Sequence, residues 1–273
     1  MLGLYPGYAL ISPVPRLPIP SKSVPTVKVY PSADEASLAV ANQVAAEVQR
    51  LELVGNTAVL GLPTGATPET IYQHWCQFHK ERGVNWRKVI TFNLDEYWPL
   101  PKSSEHSYHY FMEQRLFGPA GFDSRNTFIP SGMIAKAEID EHCKRYEAAI
   151  ERVGGIDIQL LGIGINGHLG FNEPGSSHDS ITRLVDLSET TRKRAQPGFG
   201  ATEVPRYGIT MGLSTILRSR HVYLLAFGAA KADAVRRALH GPVDIDCPGS
   251  FLQQHPNVHW VLDAAAAAQL ELA

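Results

Sequence analysis

Two adjacent carboxylates, Asp95 and Glu96, follow directly after the apolar stretch KVITFNL at 88–94. If that stretch is a buried strand, both acids lie where the strand meets a cleft. A carboxylate within hydrogen-bond reach of a carbon beside a carbonyl can remove its proton. We therefore expect Asp95 to be a general base. For Glu96 two roles are open: a contact with a ligand, or that of a solvated or helix-capping acid.

A second loop, GIGINGHLGFNEPG at 162–175, begins with the letters of the dinucleotide fingerprint G-x-G-x-x-G. A true dinucleotide loop leads directly into a helix and is followed about 20 residues later by an acid. Asp186 lies at a suitable distance, but Gly170 and Pro174 prevent a continuous helix after the fingerprint. We therefore interpret the match as fortuitous and predict no dinucleotide cofactor.

The same loop holds a histidine, His168, between Gly167 and Gly170 and five residues before Glu173. Glycines allow the backbone to fold tightly around a side chain, because they adopt conformations closed to other residues. Imidazole exchanges protons near neutral pH. We therefore expect His168 to be catalytic, with Glu173 beside it.

A third loop, PTGATPETIY, follows the apolar stretch TAVLGL at 57–62. Thr67 is predicted to cap a helix whose first residue is Pro68, a position where the missing N–H costs nothing. Gly65 and its neighbours would then offer backbone N–H groups at a helix N-terminus, which attracts an anion such as phosphate. A plain strand–turn–helix connection is the alternative.

No metal site is predicted. The closely spaced histidines are His74, His79, His106 and His109. None of them forms an H-E-x-x-H motif or a comparable ligand set, so a surface or core role is expected for all four.

The composition argues against several other classes. A formal net charge of −2, without a dense Lys/Arg cluster, predicts no nucleic-acid partner. No apolar run approaches the ~20 residues that span a bilayer, so no membrane partner is expected. The cysteines, Cys76, Cys143 and Cys247, are far apart and form no C-x-x-C pair. They indicate neither a disulfide framework nor a zinc site, and they fit a reducing cytoplasm.

The elements that must position these loops alternate in type along the chain. Strands are predicted at 26–30, 57–62, 88–94, 126–130, 156–164, 221–228 and 257–263. Helical patterns lie between them, and an alanine-rich helix is expected after the last strand. This alternation favours an α/β fold with a single doubly wound, mostly parallel, Rossmann-like sheet and helices on both faces. Ligands in such sheets bind beyond the carboxyl ends of the strands.

Residues 1–25 differ in composition from the rest of the chain. Several prolines favour an extended segment, and they interrupt the apolar run that a secretory signal would need. Two interpretations are open. The segment is either an unstructured leader or an arm that packs on the body or on a neighbouring subunit of a homo-oligomer. We expect residues 26–273 to form one α/β domain.

Five motifs occur in order along the chain: LGLPTGATPETIY, TFNLDEYWPL, SYHYFM, LLGIGINGHLGFNEPGSS and VPRYGITMGLSTIL. Together they resemble the glucosamine-6-phosphate deaminase (isomerase) family, a relative of the 6-phosphogluconolactonases. The resemblance extends from about residue 26 to the end of the chain. It implies deamination and aldose–ketose isomerisation of a sugar phosphate, glucosamine 6-phosphate, to fructose 6-phosphate and ammonia, without a cofactor.

The resemblance also implies roles for individual residues. Asp95 would move a proton from the second carbon of the sugar to the first, and His168 would open the sugar ring. Glu173 and Asn166 would orient and tune His168. The implied substrate- and phosphate-contacting residues are Thr64, Gly65, Ala66, Thr67, Glu96, Tyr108, Gly167 and Lys231.

Two departures from the family pattern concern the implied site. Asn166 stands where some members carry aspartate; it can orient His168 by hydrogen bonding but cannot stabilise an imidazolium by charge. Ala66 replaces a common glycine, and a positive φ at this position would cost about 1 kcal/mol.

Two further departures concern anion binding. Pro197 stands where well-known deaminases carry an arginine that reaches the phosphate. Either Arg194, or Lys231 with the loop, supplies the contact, or the substrate differs. Val185 replaces a lysine of members that have an allosteric anion site, so activation by an amino-sugar phosphate is not expected.

Two alternative functions are therefore open. One is a related phosphosugar enzyme, namely a galactosamine-6-phosphate deaminase, another isomerase or a 6-phosphogluconolactonase. The lactonase is disfavoured, because Asp95 would have no carbon proton to move. The other is a weakly catalytic regulator that binds a phosphosugar.

Overall fold

A computed structural model describes residues 26–271. The predicted N-terminal arm, residues 1–25, lies outside this range. The strands are β1 Thr26–Tyr30, β2 Val59–Leu62, β3 Ile90–Asn93, β4 Asp95–Trp98, β5 Thr127–Phe128, β6 Ile158–Gly162, β7 Arg183–Asp186, β8 Tyr207–Thr210, β9 His221–Ala226 and β10 Val258–Asp263. The helices are α1 Ala33–Leu53, α2 Ala66–Arg82, α3 Tyr108–Met112, α4 Gly118–Ala120, α5 Ile139–Arg152, α6 Glu189–Phe199, α7 Leu213–Leu217 and α8 Ala232–His240.

Seven strands form a parallel central sheet in the order β1-β10-β9-β6-β2-β3-β5. All seven were predicted from their apolar stretches. Most of their residues are buried, since helices cover both faces of a sheet of this kind. The doubly wound, mostly parallel α/β fold is confirmed.

Two apolar clusters lie on opposite faces of this sheet. Side chains of α5, α7 and α8 form one cluster with alternate strand residues such as Leu161 and Trp260. Side chains of α1 and α2 form the other with the intervening residues, such as Leu160 and Val261. Neighbouring residues of one strand thus face different helix layers, which fixes the register of every strand.

A second, three-stranded antiparallel sheet was not predicted. Its order is β4-β8-β7, and each strand has only four residues. The chain passes from the first sheet to the second at Leu94. Its N–H donates to the Leu62 carbonyl of the parallel sheet, while the next residue, Asp95, pairs with Thr210 in the antiparallel sheet. Asp95 is therefore fixed at the junction of the two sheets.

Three predictions about helices are settled by the structure. Ser32 caps α1 as predicted, accepting a hydrogen bond from the Glu35 N–H. Helix α2 begins at Ala66, earlier than predicted, so Pro68 is its third residue and Gly65 occupies the capping position. The alanine-rich segment after β10 forms turns, so the predicted helix there is wrong. No helix within residues 26–271 is long and apolar enough to cross a membrane.

Candidate active site

Asp95 is buried yet faces a cavity. The residue is 6% exposed, and its side chain lines a cleft of about 350 Å³ at the carboxyl ends of the central strands. Gly170, at φ +58°, packs against the Asp95 carboxylate. A Cβ on Gly170 would lie 3.2 Å from that carboxylate and 3.1 Å from the Thr210 hydroxyl. The glycine thus keeps open the space beside the carboxylate.

The Asp95 carboxylate receives no hydrogen bond from any residue between 26 and 271. Burial, and secondarily the charge of Glu96, raise its pKa from 3.8 to about 8. A buried carboxylate without donors is poorly solvated, and therefore basic. Its pKa matches that of a general base working near neutral pH.

Glu96 has a different role from the substrate contact predicted for it. Its side chain points away from the cavity and accepts hydrogen bonds from the N–H groups of Tyr97, Tyr108 and His109 at 2.8–3.0 Å. Two of these N–H groups belong to the first turn of α3. Burial raises the pKa of Glu96 to about 7 despite these donors. The alternative of a helix-capping acid, left open by the sequence, describes Glu96.

The imidazole of His168 lies against a backbone that only glycine permits. A Cβ on Gly164 would lie 2.3 Å from the ring. Gly167 has φ +89°, and a Cβ there would meet the Cys247 sulfur at 2.5 Å. The glycines around His168 therefore shape its loop, as predicted. Gly167 itself does not line the cavity, and the substrate contact predicted for it stays a prediction.

Glu173 connects His168 to helix α6. One carboxylate oxygen, Oε1, accepts hydrogen bonds from the Ser188 and Thr191 hydroxyls. The other, Oε2, accepts from the Asn166 amide at 2.9 Å and lies 3.6 Å from His168 Nδ1. Burial alone would raise the pKa of Glu173, but these neighbours outweigh it and lower the pKa to about 2. Glu173 is therefore a fixed negative charge beside the imidazole.

Asn166 contacts the imidazole only indirectly. Its amide donates to Glu173, and its side-chain oxygen accepts from the backbone N–H of His168 at 3.3 Å. The direct hydrogen bond to the ring that the sequence suggested is absent between these two described residues. An amide suits this position, because an aspartate there would set two carboxylates side by side.

The loop between β2 and α2 leaves the start of the helix without a side-chain cap. Gly65 has φ +92°, a conformation that favours glycine, and α2 has no side-chain cap within the described structure. The first N–H groups of this 17-residue helix are thus available to a ligand. Ala66 is the first residue of α2. No residue other than glycine in 26–271 has a positive φ, so the conformational cost foreseen for Ala66 does not arise. Thr64 and Thr67 line the cavity beside this loop.

Lys231 lines the same cavity as Thr64 and Thr67. Its ammonium donates to the Ile163 carbonyl at 2.6 Å. Burial, and then the charge of Arg194, lower its pKa. An ammonium beside a helix N-terminus makes this end of the cavity attractive to a phosphate.

The structure brings together most of the residues predicted for the site. The predicted residues that line the cavity are Thr64, Thr67, Asp95, Tyr108, His168 and Lys231. Tyr108 stands at its wall, hydrogen-bonded to the Tyr97 hydroxyl at 3.3 Å. Gly65 and Ala66 are exposed on the loop between Thr64 and Thr67. Glu173 and Asn166 lie behind His168.

Sequence reasoning missed two contributions to the site. Thr191 lines the cavity and holds Glu173, and Phe171 forms part of the cavity wall. The motif S-E-T-T was visible, and Ser188 could have been identified as the cap of α6. Nothing in the sequence indicated that a hydroxyl on that helix meets a glutamate 18 residues earlier. Between residues 26 and 271, no group of three or more His, Cys, Asp or Glu side chains could hold a metal ion.

These features define a class: an α/β protein whose cleft combines a buried carboxylate without a donor among the described residues, an imidazole–carboxylate pair, a lysine and a nearby helix N-terminus without a side-chain cap. A model of the family described as glucosamine-6-phosphate isomerases/6-phosphogluconolactonase matches residues 31–260. The chain belongs to this family.

Individual relatives cover nearly the whole chain. A glucosamine-6-phosphate deaminase of Rhodopirellula baltica is 44% identical over 246 residues, which are 90% of this chain and 96% of the relative. One of Clostridium botulinum is 41% identical over 245 residues, covering 89% and 98%.

Solved structures agree with the fold. That of a monomeric glucosamine-6-phosphate deaminase superimposes with a TM-score of 0.84 at 38% identity, covering 90% of this chain and all of that one. A 6-phosphogluconolactonase of Trypanosoma brucei has a TM-score of 0.74 at 20% identity, covering 92% and 100%, and shares the fold.

Proposed function

We propose that this protein converts glucosamine 6-phosphate and water to fructose 6-phosphate and ammonia. The observation that carries the proposal is the Asp95 carboxylate. It is buried, lacks hydrogen-bond donors in the described structure, and faces the same cavity as His168 and Lys231. A base of this kind is needed to move a proton between neighbouring carbons, whereas a hydrolysis alone would not require it.

The first step opens the sugar ring. His168 takes the proton of the C1 hydroxyl and returns a proton to the ring oxygen, which leaves an aldehyde at C1 beside the amino-bearing C2. The carboxylate of Glu173, 3.6 Å from His168 Nδ1, stabilises the imidazolium that forms transiently. The mostly enclosed imidazole, 23% exposed, can exchange protons only with a bound ligand or a few waters.

The next steps use Asp95. Its carboxylate removes the proton from C2, and the aldehyde oxygen takes up one proton from solvent, giving a C1–C2 double bond. Asp95 then delivers its proton to C1, and the nitrogen lone pair forms a C2–nitrogen double bond, which leaves a cationic iminium. Water adds to C2 and releases one proton to solvent, which balances the proton taken up earlier; the carbon–nitrogen bond then breaks and ammonia leaves. The sequence consumes one water, involves no net oxidation and needs no redox cofactor.

The phosphate supplies binding energy far from the reacting carbons. The N-terminus of α2, the hydroxyls of Thr64 and Thr67, and the Lys231 ammonium are suited to hold it. Binding energy from a remote group positions the reacting carbons against Asp95 and His168.

A substrate panel with two readouts tests the proposal. Glucosamine 6-phosphate, galactosamine 6-phosphate and 6-phosphogluconolactone are compared by kcat/KM, with ammonia and ketose phosphate measured for the first two and lactone hydrolysis for the third. We expect glucosamine 6-phosphate to have the highest kcat/KM. Lactone hydrolysis without ammonia release from either amino sugar would contradict the proposal.

We also propose a cytoplasmic location and keep self-association as a separate proposal. The cysteines Cys76, Cys143 and Cys247 are unpaired, and Cys143 and Cys247 are buried. Unpaired thiols suit a reducing compartment.

Sedimentation of the full chain and of a variant lacking residues 1–25 tests whether that segment supports a homo-oligomer. Two monomeric species would contradict the proposal of self-association.

A further inference from the structure

Helix α6 carries three consecutive cations, Arg192, Lys193 and Arg194, whose surroundings differ. The Arg192 guanidinium donates to Glu203 at 2.8 Å and to the Val204 carbonyl at 3.4 Å. The Lys193 ammonium is exposed and pairs with Glu189 at 2.7 Å. Both of these side chains are engaged on the outer sides of the helix.

Arg194 alone of the three lines the cavity. Within the described part of the chain its guanidinium has no carboxylate partner and donates no hydrogen bond. It is close enough to Lys231 to lower the pKa of that ammonium. Two cations of the described chain thus line one cavity, within electrostatic range of each other.

The position of Arg194 is fixed by the rest of α6. Thr191 lies one turn earlier on the same face and bonds to Glu173, and Ala195 also lines the cavity. At the other end of the helix, Phe199 packs edge-on against Tyr97 with ring centroids 5.2 Å apart. Helix α6 is therefore held near both of its ends, and Arg194 between them lines the cavity.

We propose that Arg194 binds the phosphate of the substrate together with Lys231 and the N-terminus of α2. The inference rests on the proposed function for the identity of the phosphate-bearing ligand. A guanidinium offers a planar pair of donors that matches two phosphate oxygens, whereas an ammonium acts as a point charge. One N–H group of the Lys231 ammonium already donates a hydrogen bond to the Ile163 carbonyl. Arg194 supplies the second charge that a phosphate dianion needs.

The placement also accounts for the uncharged residue one turn further along the helix. Pro197 follows Arg194 by three positions and lies near the end of α6. A cation one turn earlier, at 194, already reaches the cavity. The chain thus needs no charge at 197 for its phosphate site.

The test measures the affinity for inorganic phosphate by calorimetry, so that it does not depend on turnover. The proteins are the full-length wild type, Arg194→Ala, Arg194→Lys and Lys193→Ala. Lys193→Ala is the matched control, because it removes the same charge from the neighbouring, outward-facing position. Since Arg194 is exposed at the rim of the cavity, all variants are expected to fold, and thermal unfolding checks this.

We expect Arg194→Ala to raise the Kd for phosphate about tenfold or more, as for the loss of a charge-assisted pair of hydrogen bonds. Arg194→Lys should retain part of the affinity, and Lys193→Ala should stay within about twofold of the wild type. In the same preparations Arg194→Ala should raise KM for glucosamine 6-phosphate more than it lowers kcat.

Three results would overturn the proposal. They are an unchanged Kd in Arg194→Ala, an equal loss in Lys193→Ala, and a wild type without measurable phosphate binding. The two proposals fail separately. If the wild type released no ammonia but Arg194→Ala still had a higher Kd for phosphate than the wild type, the assigned reaction would be wrong and the phosphate contact would stand.

Discussion

Asp95 and Glu173 are two carboxylates of one cavity region with opposite surroundings. Asp95 follows β3, is buried, and accepts no hydrogen bond from the described residues, so its pKa is raised to about 8. Glu173 follows β6 and accepts hydrogen bonds from two hydroxyls and an amide. Burial alone would raise its pKa, but the neighbouring His168, with Thr191 and Asn166, lowers it to about 2. The difference separates a proton carrier from a fixed charge. Residue type alone does not decide which carboxylate does which task.

The largest effect is expected from Asp95→Asn. The amide keeps the size of the side chain but cannot accept a proton from carbon, so kcat should fall roughly 10²- to 10⁴-fold. Steady-state ammonia release measures the loss. The affinity for inorganic phosphate serves as the control and should not change, because that end of the cavity is intact. Full activity in Asp95→Asn would remove the base from the mechanism.

The pH profile of kcat/KM is the second measurement, because it reports the free enzyme. Asp95 is active only when ionised. With its pKa raised to about 8, kcat/KM should rise with pH and level off above about pH 8. Below the pKa it should fall about tenfold for each pH unit. A profile that is flat from pH 5 to 8 would mean that Asp95 is ionised throughout, as an ordinary surface carboxylate would be.

Glu173→Gln should have a smaller effect on activity. It removes the charge that stabilises the imidazolium but retains a polar group of the same shape. The loss of one charge-assisted interaction, about 1.5–3 kcal/mol, corresponds to a roughly 10- to 100-fold lower kcat. KM should change little, because Glu173 lies behind His168. A variant in which KM rose while kcat was preserved would assign Glu173 to substrate binding.

Thr191→Val tests the support of Glu173 and should lower kcat about two- to tenfold, because the lost hydrogen bond affects catalysis only through the position of Glu173. Ser188 still donates to the same carboxylate oxygen, which limits the loss. Thr190→Val, at the exposed neighbouring position, is the matched control and should behave as the wild type. Equal losses in both variants would point to a general disturbance of α6.

Substitution of Asp95 and substitution of Glu173 should shift Tm in opposite directions. Between about pH 4 and 8 the folded Asp95 keeps a proton that the unfolded chain releases, so its contribution to the free energy of unfolding falls as pH rises. Asp95→Asn should therefore raise Tm relative to the wild type, by more at pH 8 than at pH 5. Relief of an unsatisfied buried group is worth roughly 1–3 kcal/mol.

The contribution of Glu173 to the free energy of unfolding rises with pH, whereas that of Asp95 falls. Its lowered pKa stabilises the fold above about pH 4.5, and this stability is lost as pH falls toward 2. Glu173→Gln should thus lower Tm at pH 7 and approach the wild type in acid. If both variants shifted Tm in the same direction at pH 8, the contrast between the two sites would be wrong.

The sequence by itself determined the parallel sheet and the three loops that carry the chemistry. Apolar stretches such as IDIQLLGIG at 156–164 are typical of strands buried on both faces, and their alternation with helical patterns along the chain predicts a doubly wound sheet. Polar residues directly after such strands must meet at one edge of the sheet. Asp95, His168 and Lys231 were found in this way or through the resemblance, and they do line one cavity.

Only the tertiary structure decided how these residues are tuned and supported. The antiparallel sheet β4-β8-β7 consists of four-residue strands, and β4 pairs with a strand that lies more than 100 residues later in the chain, from Asp95↔Thr210 to Trp98↔Tyr207. Local propensity carries no signal for a pairing between such distant segments. The same long-range pairing sets Asp95 at the junction of two sheets, turns Glu96 into a cap of α3 and brings α6 to Glu173. A pKa depends on which groups surround a carboxylate in space, so neighbours along the chain could not reveal it.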